Sequence, residues 1–376
     1  QEIRQGKKIH HPTLEYQTGS IRNDFDFGQL LLFRNDSFQQ VVAQMNTDYR
    51  FAALYELRLS ISRLGKIVHI PETLYTVQPT DLRLSGEKQF DYVDPANREV
   101  QLEMEAVCTA HLQAIGAWLA PEFQRIDFGQ ENFAREASVI IPVRNRKRTI
   151  AEAVESALQQ QTDFSFNVIV VDNHSTDGTG QILTELSRRY PNLIHHIPAS
   201  TELGIGGCWT EAILLPECGK FAIQLDSDDL YKDCHVLQRI VDTFYQENCA
   251  MVIGSYQMVD FKLEEIPPGL IAHREWTPDN GRNNALRING LGAPRAFYTP
   301  MLRQIKFPNV SYGEDYATAL AISRKYPIAR IYDPLYLCRR WEENSDHDLD
   351  IQQLNNYNFY KDKIRTLEIQ ARISGK

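Results

Sequence analysis

No stretch of this sequence is long and apolar enough to span a bilayer, and no signal-peptide pattern opens it. The first residue is Gln1 rather than Met, so the second absence is compatible with a trimmed fragment. Paired cysteines are also lacking. Cys108, Cys208, Cys218, Cys234, Cys249 and Cys338 form no CxxC pair and no His/Cys spacing of a zinc site. Scattered in this way, they read as reduced thiols of a cytosolic protein. Nor is there an excess of positive charge: 40 Lys and Arg stand against 49 Asp and Glu, a net charge of −9. That balance argues against nucleic acid as a partner and against non-specific attachment to an acidic membrane. One local cluster, Arg144, Arg146, Lys147 and Arg148, runs against the overall sign.

What is present is the composition of a globular protein, 43% hydrophobic and 24% charged, over 376 residues. That length favours two domains over one core. Residues 1–20 are polar and read as an arm. FGQLLLF (27–33) and KIVHIP (66–71) read as strands on either side of an amphipathic helix over 48–65 that stops at Gly65. Residues 76–93 read as a loop. Asp94 and Pro95 then open a helix over about 95–119, which Pro121 ends.

From Ala137 the pattern changes. Strands are expected over 138–143, 166–173, 193–198 and 220–227, with helices over 148–160, 179–190 and about 205–215 between them. Strand and helix alternating over short connections imply a parallel α/β sheet, whose ligands sit beyond the carboxyl ends of the strands. Asn145, Asp172, Asn173 and Asp226 all fall there.

Four clusters carry chemistry. In DNHSTDG (172–178), Ser175 or Asp177 suits a helix cap, whereas Asp172 ends a central strand and suits a ligand N–H. In LDSDD, Asp226 and Asp228 suit a hard divalent cation, Mg²⁺ or Mn²⁺, and Asp229 reads as a helix-start carboxylate. In YGEDYATALAI (312–322), Glu314 and Asp315 open a helix after Gly313, a place where carboxylates are also favoured without any function. CRRWEENSDH (338–347) is basic and aromatic, either a loop over an anion or a solvated run.

In this order, the four clusters resemble family-2 glycosyltransferases of GT-A fold, over roughly residues 136–347. SVIIPVRNRKRTIAEAVESALQQQ is similar to that family's opening strand and helix, with Arg144-Asn145 where Tyr-Asn is usual. VIVVDNHSTDGT resembles its base-binding strand end, LDSDD its Asp-x-Asp, and GED its catalytic-base motif. LGIGGCWTEAI (203–213) keeps Gly204 but lacks the Arg and Asn of the corresponding family segment.

The resemblance implies a Rossmann-like, mostly parallel sheet flanked by helices, preceded by a smaller α+β unit. It implies a metal-dependent, inverting transfer of a sugar from a nucleotide donor, UDP-sugar favoured over GDP-sugar, to a saccharide hydroxyl. Pro142, Arg144, Asn145, Asp172, Asn173 and Gly204 would face the nucleotide, and Asp172 would accept from the base. Asp226 would touch the ribose or the metal side, and Asp228 would hold the Mn²⁺ or Mg²⁺ that bridges the diphosphate. Arg340 and His347 would reach the diphosphate or the metal. Asp315, beside Glu314, would take the acceptor's proton. A lipid-linked acceptor would draw a cytoplasmic protein to the inner face of a membrane.

A partial internal repeat is also visible. ALYELRLSISRLGKIVHIPETLY (53–75) aligns without gaps on EDYATALAISRKYPIARIYDPLY (314–336). Ala53 and Leu54 fall opposite Glu314 and Asp315, so the first copy lacks the carboxylates. The expected division is a non-catalytic unit over 1–94, either a remnant or the tail of a degenerate first domain whose nucleotide half precedes Gln1. A connector over 95–135, the catalytic domain over 136–347 and a helical tail over 348–376 follow. The competing readings are a non-catalytic scaffold that binds nucleotide or sugar, and a sugar nucleotidyltransferase. The latter calls for a Gly-rich loop that PVRNRKRT does not have. A phosphatase expects Thr or Val after the second Asp of Asp-x-Asp, with that strand first in its domain, and neither holds.

Overall fold

A computed structural model describes every residue except 5, 79–96, 130, 342–348 and 376. The chain divides into two compact units with interleaved sequence: 1–121 with 275–290 and 348–376, and 122–274 with 291–347. Segments 275–290 and 348–376, read from the sequence as part of the catalytic domain and as a tail, thus pack with the N-terminal residues.

The first unit has a short antiparallel ribbon, β1 (Glu2–Arg4) and β2 (Lys7–Ile9), and three helices, α1 (Asn35–Val42), α2 (Ala53–Leu64) and α3 (Arg98–Ala114). The expected strands at 27–33 and 66–71 do not form. A strand needs a hydrogen-bonded neighbour, and none pairs with these segments among the described residues. Leu30, Leu32, Val68 and Ile70 are exposed there. A short turn, α8 (Gly281–Asn284), and the long helix α11 (Ile351–Ile373) complete the unit. Asp350 and Gln353 cap α11 reciprocally. Its buried Asp362 pairs with Arg22 and Arg365, so the charges enter the interior compensated.

The second unit alternates strand and helix as expected: β3 (Ala137–Val143), α4 (Ile150–Leu158), β4 (Phe166–Asp172), α5 (Thr179–Arg189), β5 (Leu193–His196), α6 (Ile205–Leu214) and β6 (Phe221–Gln224). β7 (Leu230–Tyr231), α7 (Val236–Glu247), β8 (Met251–Val259), β9 (Glu265–Ile271), β10 (Arg295–Tyr298), α9 (Thr299–Ile305), α10 (Glu314–Ser323) and β11 (Ile328–Arg339) follow. The described strands make one mixed sheet in the order β5-β4-β3-β6-β10-β8-β11-β7, with β9 on β8. β5, β4, β3 and β6 are parallel, and β10 is antiparallel to both its neighbours.

The β-branched runs of β3 and β4 explain their central place. Val139, Ile140, Ile141, Val168, Ile169, Val170 and Val171 are wholly buried, each contributing roughly 1.5–3 kcal/mol. Helices cover both faces, so no polar alternation survives in these strands. The six cysteines are all free thiols, and among the described residues no helix is long and apolar enough to cross a membrane.

Candidate functional site

The parallel strands β3, β4 and β6 end on one side of the sheet, and their following turns gather most of the residues singled out above. Asn145, with φ 55°, adopts the left-handed conformation that asparagine tolerates. Its N–H donates to Ser175 Oγ (2.9 Å), and its side-chain oxygen accepts from Thr176 N (2.8 Å). Asp177 accepts from Lys147 N and Thr179 N, both at 3.0 Å. Asn145 therefore ties the loop after β3 to the loop after β4, and Asp177 caps the start of α5. Ser175 bonds Asn145 instead of capping.

Asp172 and Asn173 point to different partners. Asp172, 2% exposed, accepts from Ser175 N (2.9 Å) and faces His195 Nε2 (3.4 Å). Burial alone would raise its pKa, but the His195 and Ser175 hydrogen bonds outweigh it and hold the carboxyl below its ordinary value. It also borders an open cavity of about 590 Å³ with His174, Thr184, Arg188 and Ile197. Asn173, 7% exposed, donates from Nδ2 to Leu203 O (2.8 Å), while its buried Oδ1 has no hydrogen-bond partner. A buried acceptor left open costs about 1–3 kcal/mol until something donates to it. A carboxylate has more acceptor sites than these two partners fill, so Asp172 keeps capacity on the side of the cavity, while the open acceptor of Asn173 is buried.

Gly204 has a packing role: its N–H donates to Asn309 Oδ1 (2.7 Å). Two residues on, Gly206 N donates to Val310 O (2.9 Å), and a Cβ at Gly206 would stand 2.0 Å from Pro308 O. The glycines of LGIGGCW let the start of α6 lie directly on the segment before α10. Pro142 ends the inner part of β3, and Arg144 is exposed just past it.

The acidic turn Leu225–Asp229 leads from the end of β6, inside the sheet, to β7 at its far edge. Asp226 accepts from Gln224 Nε2 on both oxygens (2.9 and 3.1 Å), and its N–H donates to Tyr336 Oη (2.8 Å). Asp229 is not a helix-start residue, since α7 begins only at Val236. It is 4% exposed and accepts from Arg339 N (2.8 Å), which fastens the turn to β11. Burial raises the pKa of Asp226, and raises that of Asp229 well above the ordinary range, with the neighbouring aspartates adding to it.

Asp228 differs. Its side chain is 14% exposed; Oδ2 accepts from Trp341 Nε1 (3.1 Å) and lies 3.7 Å from Arg146 Nε. Arg146 and Arg148 stack over Trp341, with Arg148 also over Phe261. Arg339 donates to Asp228 O and to Glu152. The crowded charge is thus offset by arginines, an indole N–H, a tyrosine and a glutamine.

Among the described residues, no group of three or more His, Cys, Asp or Glu is arranged to hold a metal ion. Asp226 and Asp228 are both partly exposed, and one or two carboxylates plus phosphate oxygens are a common Mg²⁺ or Mn²⁺ donor set. The residues fit a cation that arrives with a diphosphate. Asp229 is turned to another partner. His347 lies outside the described residues, and Arg340 follows β11 with its N–H on Val259 O (2.8 Å).

Glu314 and Asp315 open α10 behind Gly313, whose φ of 80° lets the chain turn sharply into the helix. Asp315 pairs with Arg295 of β10. Glu314 is 8% exposed with Oε2 unpartnered, and burial, then the Asp315 charge, push its pKa to about 8. Arg295 N and Nε both donate to Gln224 Oε1 (3.1 and 3.0 Å). Arg295 and Gln224 escaped the sequence reading. Their signal was present: one polar residue inside each of the apolar strands FAIQLD and PRAFY. Trp341 was noted only as part of a basic and aromatic run.

Residues 138–307 match the family model for glycosyl transferase family 2. An uncharacterized glycosyltransferase of Nostoc sp., alr2836, is 32% identical over 33% of this chain and 37% of its own. A poly(ribitol-phosphate) beta-glucosyltransferase of Bacillus spizizenii is 24% identical over 59% of this chain and 35% of its own. The chain thus spans little more than a third of the length of either relative. The crystal structure of S. aureus TarS residues 1–349 with UDP-GlcNAc is 22% identical, covering 63% of this chain and 72% of that one at a TM-score of 0.48.

Proposed function

We propose, residues 138–307 being a glycosyl transferase family 2 domain, that the protein moves a sugar from a nucleoside-diphosphate donor to a saccharide hydroxyl with inversion. The observation that carries the reading is the continuous polar chain from Asp226 through Gln224 and Arg295 to Asp315, which joins the donor-side turn to the start of α10.

In this reading the base lies beside Pro142 and Arg144 and donates an N–H to Asp172, which borders the open cavity, with Asn173 beside it. That assignment suits uracil and leaves guanine as the alternative. Asp228 holds a divalent cation, Mn²⁺ or Mg²⁺, which when bound offsets the charge of the departing diphosphate. Asp315 accepts the proton of the acceptor hydroxyl. That oxygen attacks the anomeric carbon while the bond to the diphosphate oxygen breaks, and attack opposite the leaving group inverts the centre. Glu314, buried beside the Asp315 charge, holds its proton more tightly than an ordinary carboxyl.

The names of relatives that act on poly(ribitol-phosphate) or in teichuronic acid biosynthesis support a polymer or saccharide acceptor. The proposal keeps a cytoplasmic placement, with peripheral membrane attachment where the acceptor is lipid-linked. Residues 1–94 are taken as non-catalytic, since Ala53 and Leu54 stand where α10 has Glu314 and Asp315.

Calorimetry with UDP and GDP, with and without Mn²⁺, tests the reading. Binding that strengthens with Mn²⁺ is expected, and Asp228→Asn should remove on the order of tenfold of that gain. If neither nucleotide binds under any condition, the transfer reading is wrong.

A further inference from the structure

Arg295 is a charged residue at the start of an interior strand. β10 lies between β6 and β8, and Ala296, next to Arg295, pairs with Ile223 and Val252. Its side chain is only 20% exposed, and that of Asp315 only 23%. A guanidinium withdrawn this far from water needs compensation, and here it finds a fixed set. One end pairs with Asp315, while Nε and the backbone N–H of Arg295 share Gln224 Oε1. Gln224 in turn spends Nε2 on both oxygens of Asp226 (2.9 and 3.1 Å).

Each member is thereby oriented by the next. Gln224 cannot flip its amide without losing Arg295 and Asp226 together. Arg295 cannot swing away from Asp315 without leaving Gln224, and Asp315 sits on the first turn of a helix whose position is already set. A guanidinium suits this place because it is planar and offers several N–H groups in a fixed fork. Lysine would bring the charge without the fork.

We infer that Arg295 is a positioning residue for the transfer reaction: it holds the Asp315 carboxylate in place and, through Gln224, ties it to Asp226 on the donor side. The inference rests on the transfer reading above and adds to it a residue outside the four motifs. Arg295 acts on the reaction through Asp315, so the two side chains should not contribute independently.

The test is a double-mutant cycle on the full chain, reading hydrolysis of a panel of UDP-sugars and GDP-sugars with Mn²⁺, and UDP affinity by calorimetry. Arg295→Gln should lower kcat at least about tenfold, with KM and Mn²⁺–UDP affinity within about threefold. Arg295→Lys should recover part of that loss. In an Asp315→Asn background, Arg295→Gln should cost little further. Equal loss in both backgrounds, or a change confined to KM, overturns the positioning role while leaving the transfer reading intact. No binding and no turnover in the unsubstituted protein overturns the transfer reading itself. If Arg295→Gln fails to fold, Arg295→Lys measured with and without Asp315→Asn answers the same question, because it keeps the buried charge.

Discussion

Helices α2 and α10 match in sequence at Tyr55/Tyr316, Leu59/Leu320 and Ser62/Ser323 and end up in different settings. In both, the aligned tyrosine is buried: Tyr55 is 3% exposed and Tyr316 is 1%. The aligned leucines are buried as well, and each accepts from the serine three residues on. Ser62 Oγ donates to Leu59 O (2.7 Å), and Ser323 Oγ to Leu320 O (2.9 Å). Even the tyrosines that close the two segments do similar work, Tyr75 Oη accepting from Gln29 N and Tyr336 Oη from Asp226 N. After the helix the likeness stops. Ile328–Arg339 is a strand inside the large sheet, whereas among the described residues the segment 66–78 has no strand pairing beyond one bridge at Val77, and Val68, Ile70 and Leu74 are exposed. A shared helix pattern sets local burial and back-bonding. It does not make a strand, which depends on a neighbour elsewhere in the chain.

Chemistry is where the comparison can be broken most sharply. Asp315→Asn should lower donor turnover about 10³-fold with nucleotide affinity nearly unchanged, as loss of a general base does. Turnover that survives would make Asp315 only a helix-start residue like any other. Next in size is stability at the two buried tyrosines. Tyr55 donates to Ile21 O, so Tyr55→Phe should cost about 1–3 kcal/mol in urea unfolding by leaving that carbonyl unsatisfied. A neutral result would show water reaching a site that is closed here.

Comparable in size is the effect of pH on Glu314, which has no carboxylate counterpart in α2. Its folded pKa of about 8 lies above the ordinary 4.5, so its stabilising contribution is complete below about 4.5 and is lost as pH rises through 8. Glu314→Gln should therefore flatten the loss of stability between pH 5 and 8, read from unfolding midpoints; an unchanged slope would mean that Glu314 ionises freely. The smallest expected effect comes from giving α2 what it lacks. Leu54 is 50% exposed, so Leu54→Asp should change stability by no more than about 0.5 kcal/mol and create no turnover.

Much of the second unit could be read from the residues alone. The β-branched runs VIIPV and VIVV became central strands, and GED opened a helix, because both signals are local and strong. The division of labour inside the clusters could not be read. Asp172 and Asn173 are adjacent in sequence, yet one is engaged by Ser175 and His195 and the other carries the open acceptor. Asp229 looked like a helix start until β7 placed it against Arg339. Those assignments depend on which distant backbone passes nearby, and spacing along the chain does not encode that. The same holds for Arg295, whose partners are 71 and 20 residues away.

The glycines at the start of α6 carry one more consequence. Because Gly204 and Gly206 are bonded to Asn309 and Val310, and a Cβ at Gly206 would stand 2.9 Å from Glu314 Cβ, the loop after β5 is fastened directly to the entrance to α10. Leu203, next in that loop, is the residue that holds Asn173. If the nucleotide sits at the loop after β4 as proposed, these contacts connect it to the carboxylate pair. Deuterium uptake at the amides of Gly204 and Gly206 should slow together when UDP binds, and should do so equally in Asp315→Asn, where the chemistry is silent but the linkage is whole.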